Sequence, residues 1–391
     1  MSRAFRDSPR PLPGTAWAPA WLLAAALAVT SAAAGDGAAP SSSLPSTRDR
    51  ARLEAANPVR PLPAAPLGHD QSLADLARPP DPKKARLWRW LFFDRRLSPG
   101  AKNSCEKCHT AARGWSEDTI VTMKIGDHSV PRRTMTFVNS AFAFFPEQFW
   151  DGRSKSLDEQ PKGPKLNVEA IAAVPGYAPY FEEAFGDARV DASRVSQAIA
   201  DWERTQLSGN SPWDRWRRLG DEKAVSDEVR LGDRVFFGKG RCGHCHIATV
   251  LTDPKFAAAR AQMKSTPLHL VGNSFTDWRF HNEGIGFEPA TKRFKDPGRF
   301  LATGRKEDTG AFKTPPLRDV ALHPPYMHDG SLPTLEAVVE HYRKGGIDNP
   351  YLDALMEPLD LTDAEAAALV AFLRALTGSG YADTAPALFP E

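Results

Sequence analysis

Cysteine is scarce in this chain: four in 391 residues. So few, in so long a chain, exclude a disulfide-stapled scaffold. A charge excess is missing too. The 50 basic and 48 acidic side chains leave a formal +2, without the basic surplus that a nucleic-acid binder normally shows. After residue 34 no apolar run reaches the roughly 18 residues that a membrane span needs. Alternating strand patterns are few. What is present, 41% hydrophobic and 25% charged residues, suffices for ordinary globular cores. The length suggests two domains plus extras.

The first 34 residues read as an export signal. Arg3, Arg6 and Arg10 give a positive start, and Ala20–Ala34 is an apolar run broken only by Thr30 and Ser31. It ends in small residues before Gly35, as a signal peptide does, although an uncleaved anchor is the competing reading. The expected location is the periplasm, with no membrane span once the signal is removed. Residues 35–82 hold nine prolines among Ala, Ser and Gly, and this composition predicts a flexible tether. Order is expected from Lys84–Phe93, where Leu87, Trp88, Trp90 and Leu91 form a first helical face.

An internal repeat organises the rest. CEKCH (Cys105–His109) and CGHCH (Cys242–His246) stand 137 residues apart and use all four cysteines. Phe92–Phe93 precedes the first copy and Phe236–Phe237 the second. Two similar units follow: 83–222 and 223–380, with a tail at 381–391 and a join between Leu219 and Ser226. Helical stripes dominate them. Val195, Ala198, Ile199 and Trp202 recur at helical spacing, as do Leu335, Val338, Val339 and Tyr342, and Leu369, Phe372, Leu373 and Leu376. The last has a capping box, Thr362 to Glu365. The expected fold is mostly α.

CxxCH is the attachment pattern of a c-type haem. Two thiols on one short turn bond to the haem vinyl groups, and the adjacent histidine becomes an axial iron ligand. Zinc would need a set of four ligands, and a thioredoxin-like dithiol would need a βαβ setting that is missing. The expected cofactors are two covalent haems, held by Cys105, Cys108, Cys242 and Cys245, with His109 and His246 on iron. Strong ligands on both outer faces would make an electron carrier, whereas an open face binds peroxide or oxygen.

Several stretches in order, LFFDRRLS, CEKCH, QFWDGR, CGHCH, WRFHNEGIG, GAFKTPPLRDVALHPPYMHDGSLPTLEAVV and FLRALTG, resemble the bacterial di-haem cytochrome c peroxidase and MauG family from about Leu87 to Thr377. The resemblance implies two cytochrome c-like domains with haems facing a shared interface. The N-terminal haem would react with hydrogen peroxide, assisted by Gln160, Pro164 and Glu169. The Gln-to-Glu spacing is one residue shorter than in the family, and a solvated loop charge is the competing reading of Glu169. Trp150 matches the tryptophan between the haems, where an indole can relay electrons, although it can equally be a core residue. His128 lies in a loop that caps the first iron in the peroxidases, but its spacing differs.

The resemblance places Tyr342 as sixth ligand of the second iron, 14 residues after His328, where peroxidases carry methionine and MauG tyrosine. Met327 and His328 are its rivals, and a buried core tyrosine is the alternative. A thioether favours ferrous iron; a phenolate favours the oxidised states. Tyrosine therefore points to the MauG style, in which oxidising equivalents spread over both haems are spent on a side chain of a protein partner. The alternatives are a peroxidase fed by a small electron-donor cytochrome, and a non-enzymatic di-haem carrier. The family's calcium position is doubtful here. Its asparagine is replaced by Arg133, a guanidinium that cannot ligate a cation, and His323 replaces the usual threonine nearby.

Overall fold

The computed structural model describes residues 46–391 except 70, 119, 126–127, 143–146, 163–165, 249–273, 278 and 382. The expected signal segment and Pro164 lie outside the described residues.

The first half is built around helices at its two ends. Helix α1 (Thr47–Ala56) is the first described helix and α2 (Pro82–Phe93) follows, its start fixed by the Asp81 carboxylate, which accepts from the Lys83 N–H at 2.8 Å. Pro82 takes the first turn, where a missing N–H costs nothing. A hairpin pairs β1 (Ile120–Ile125) with β2 (His128–Arg133), and the short α3 (Val168–Ala172) and α4 (Ala178–Phe185) lead to α5 (Ala192–Glu203). Helix α5 buries Val195, Ala198, Ile199 and Trp202, as its periodicity predicted, and packs on α2. Between them lies an aromatic core in which Phe92 meets Trp115 edge-on at 5.5 Å and Trp202 at 4.7 Å.

The second half repeats this plan. Helices α6 (Pro212–Leu219), α7 (Asp227–Phe237), α8 (Leu335–Arg343) and α9 (Asp363–Arg374) surround a second core. The predicted Thr362–Glu365 capping box is formed in both directions. Helices α7 and α9 pack closely because Gly232 has no side chain; a Cβ there would collide with the Ala368 carbonyl. Phe236 then reaches Phe372, with ring centroids 4.7 Å apart. Two-stranded pairs, β3 (Phe280–His281) with β6 (Phe312–Lys313) and β4 (Phe287–Glu288) with β5 (Arg293–Phe294), stiffen the intervening loops.

Three expected boundaries are corrected. The described part of the tether, 46–82, is ordered and docked: Leu53 and Leu73 are buried, and the Asn57 amide donates to the Arg86 carbonyl at 3.0 Å. Its prolines restrict the unfolded chain as well, which lowers the entropy lost on docking. The expected tail is held against the first half. Arg89 binds Asp383 at 2.6 Å, Trp90 donates to the Leu388 carbonyl at 2.9 Å, and the Gly176 N–H donates to the Glu391 carbonyl at 2.9 Å. The end of the chain thus straps the first half. Finally, α6 precedes the expected join, yet its Trp213 packs into the second core against Phe275 at 5.0 Å and donates to Asp233 at 2.7 Å.

Candidate functional site

Each CxxCH segment folds as one tight turn. The His109 N–H donates to the Cys105 carbonyl at 3.0 Å, and His246 to Cys242 at the same distance. None of the four cysteines is paired in a disulfide. Burial pushes Cys105 and Cys242 up to about 12.

The two histidines are oriented alike. Nδ1 of His109 lies 2.9 Å from the Trp115 carbonyl, and Nδ1 of His246 lies 2.7 Å from that of Phe275. Nδ1 therefore carries the proton and Nε2 is left for a metal, as in ligating histidines generally. Burial holds both imidazoles below their ordinary pKa, hence neutral, which ligation requires. Trp115 and Phe275 are each buried and each sit in the left-handed region, at φ 57° and 53°. Such strain in a bulky residue persists only where its surroundings enforce it, and here it aims a carbonyl at the histidine.

Cys242, Cys245 and His246 open into a cavity of about 1690 Å³ of atom-free space, partly open to solvent. Among the described residues its wall leaves donors and acceptors without hydrogen-bond partners: both ring nitrogens of His323, and Nε of Arg133. Paired cysteines, an oriented neutral histidine, apolar walls and unmatched polar atoms fit a covalent haem.

Tyr342 lies in the wall of this cavity, as do Leu335, Val338 and Val339 of the same stripe on α8. Burial, and after it the Glu283 carboxyl within hydrogen-bond reach, holds the Tyr342 hydroxyl far above its ordinary pKa. Burial likewise pushes Glu283 up to about 7. Met327 and His328 line the same cavity. His328 is stacked flat on Phe312, with centroids 3.5 Å apart and rings 10° from parallel. His341, next to Tyr342 on the same helix, keeps its Nε2 buried.

Trp150 also borders the cavity and is tied at both ends. Its indole N–H donates to the Arg133 carbonyl at 2.9 Å, and its own carbonyl accepts from the Lys313 N–H at 2.8 Å. Gln160 begins a short 3-10 turn, Gln160–Lys162, and its Oε1 is buried without a partner among the described residues. Glu169 is exposed in the first turn of α3. His128 stands on β2, paired with Ile125 beside the hairpin turn, rather than in a loop. The Arg133 guanidinium donates to Ser116 Oγ at 3.3 Å and to the Glu117 carbonyl. Sequence reasoning did not single out Glu283, His281, or the partners of Arg132; WRFHNEGIG contains the first two, but its spacing carries no known ligand pattern.

Two repeated cytochrome c-like units, each with an oriented CxxCH histidine, define a di-haem c-type protein. Known relatives agree. A family profile for di-haem cytochrome c peroxidase matches residues 82–223. The chain is 37% identical to the methylamine utilization protein MauG of Methylorubrum extorquens over 326 residues, covering 80% of this chain and 83% of that one. It is 31% identical to the cytochrome-c peroxidase IdrP1 of Denitromonas iodatirespirans, covering 91% of both. Among solved structures, a MauG-like protein associated with microbial copper homeostasis superposes with a TM-score of 0.60 at 27% identity, over 82% of this chain and 94% of that one. The chain belongs to the di-haem cytochrome c peroxidase and MauG family, a family of oxidoreductases that carry two c-type haems. Among the described residues, no helix is long and apolar enough to cross a membrane.

Proposed function

We propose that this protein is a periplasmic oxidoreductase of the MauG type, which uses hydrogen peroxide to oxidise a side chain of a protein partner. The observation that carries this reading is Tyr342 in the wall of the cavity that contains Cys242, Cys245 and His246. When bound, the haems supply the redox chemistry with peroxide. The residues do the rest. Gln160 offers an unmatched buried oxygen to hold a bound molecule, and Glu169 is the carboxylate available to move a proton. Trp150, fixed through Arg133 and Lys313, offers an oxidisable ring between the halves. Glu283 is the neighbour that would take the proton from Tyr342 Oη if that oxygen were to ligate the iron.

A cytochrome c peroxidase supplied by a small donor cytochrome is the second reading, favoured by Met327, whose thioether side chain borders the same cavity. An absorption and EPR spectrum of the resting ferric protein tests the two. A phenolate-ligated second haem supports the first reading; a methionine-ligated one overturns it.

A further inference from the structure

His281 lies between two carboxylates. Asp353 Oδ2 is 2.6 Å from its Nδ1, and Asp277 Oδ2 is 2.9 Å from its Nε2. A neutral imidazole carries one N–H, so it can donate to only one of them; both acceptors are satisfied only by the imidazolium. The His281 residue is 8% exposed, Asp277 is fully buried, and the Asp353 side chain is 24% exposed. The cation and its anions abut the second haem's attachment point: Cys245 Sγ and the ligand atoms of Asp277 and His281 all lie within 4.8 Å of one another.

The backbone ties the same parts together. The Asp277 N–H donates to the Cys245 carbonyl at 2.8 Å. Two residues earlier, Phe275 gives its carbonyl to His246 Nδ1. A segment carrying the acceptor for the iron-binding histidine is thus pinned to the CxxCH turn by Asp277, and Asp277 is pinned by His281. Cys, Asp and His in one cluster resemble a metal site, but Cys245 is committed to the haem thioether and both ring nitrogens are engaged.

We propose that His281 is a positioning residue for the second haem, which locks the Phe275–Asp277 segment against the CxxCH turn and keeps a fixed positive charge beside Cys245. A buried cation near iron disfavours its oxidised form, because charges interact strongly where water is excluded. His281 therefore holds the second haem's potential above the value that Asp277 and Asp353 alone would set. Lys313, Arg279 and Glu283 are the other charged groups around this cluster. This role needs a haem at Cys242–His246 and is independent of whether Tyr342 or Met327 completes its ligation.

The test is a spectroelectrochemical titration of the haem-loaded protein at pH 7, with the midpoint potential of each haem read separately. His281→Gln should lower the second haem's potential and Asp353→Asn should raise it, with the first haem unmoved in both. Opposite signs are what a charge array gives; a merely structural role moves both variants the same way. Shifts of one sign, or none, overturn the proposal. If His281→Gln does not retain its second haem, Asp353→Asn, at the solvent side of the cluster, decides alone: a raised potential supports the proposal and an unchanged or lowered one overturns it.

Discussion

The guanidinium of Arg132 holds the Asp296 carboxylate at two points, with Nε 2.6 Å from one oxygen and Nη2 2.9 Å from the other. Its third corner donates to Asp151 at 2.7 Å, and all three side chains are at most 2% exposed. Arg132 lies on β2 in the first half; Asp296 lies in the second half; Asp151 follows Trp150. The ion group therefore joins the halves at the tryptophan between them. Removing one member of such a buried group strands the others without water, at a cost of about 3–5 kcal/mol. Asp296→Asn should lower the denaturant midpoint of the haem-loaded protein accordingly. A loss within the roughly 0–1 kcal/mol of a surface pair would show that Arg132 finds other partners.

Glu203 gives the stability a pH dependence of unusual sign. It ends α5, is 5% exposed, and its Oε2 has no hydrogen-bond partner among the described residues. Burial pushes its pKa up to about 8, against an ordinary 4.5. Between these values the folded protein binds a proton that the unfolded chain has released, so stability from this group falls as pH rises from 4.5 to 8. A tenfold difference in proton affinity between the two states is worth about 1.4 kcal/mol. Glu203→Gln should therefore be more stable than the parent at pH 8 and equal to it near pH 4, in urea titrations at both. An equal difference at both pH values would show that Glu203 ionises freely.

Chelation should leave activity unchanged. In the family resemblance an asparagine helps to hold calcium where Arg133 stands. Here Arg133 is buried and its guanidinium donates to Ser116 and Glu117. A fixed cation repels a second one. Peroxide-dependent turnover before and after treatment with EDTA, with and without added calcium, is the measurement. Loss on chelation and recovery on calcium would place a bound calcium elsewhere in the molecule.

How much of this was readable in the sequence follows from how local each feature is. The CxxCH turns and the Leu335–Tyr342 stripe are set within one or two helical turns, where period and spacing can report them. Trp115 and Phe275 lie 6 and 29 residues after their histidines, so the shared left-handed carbonyl has no common spacing to reveal it. Arg132 and Asp296 are 164 residues apart, and the Asp353–His281 contact joins distant parts of the chain. Such contacts leave no periodicity. The docking of 46–82 was missed for a related reason: proline-rich composition argued for mobility, while a hydrogen bond such as that of Asn57 to Arg86 comes from the helix that the segment covers.

Tyr342 separates the two readings of function, and Tyr342→Met tests it. The side chain borders the cavity of Cys242, Cys245 and His246, beside Glu283. As an anionic ligand its oxygen stabilises oxidised iron, whereas a neutral thioether stabilises ferrous iron. The substitution should therefore raise the second haem's potential and change its resting absorption and EPR spectra. The first haem should keep its potential, because His109 and its Trp115 carbonyl belong to the other core. With peroxide and no electron donor, the parent protein should hold its oxidising equivalents long enough to be observed by stopped-flow, and the variant should lose them at least tenfold faster, the counterpart of about 1.4 kcal/mol of lost stabilisation. Reactivity of the first haem with peroxide should persist, since Gln160 is untouched. An unchanged potential and spectrum would make Tyr342 a wall residue only. Met327 would then be the ligand to examine, and peroxide reduction with a donor cytochrome would become the leading activity.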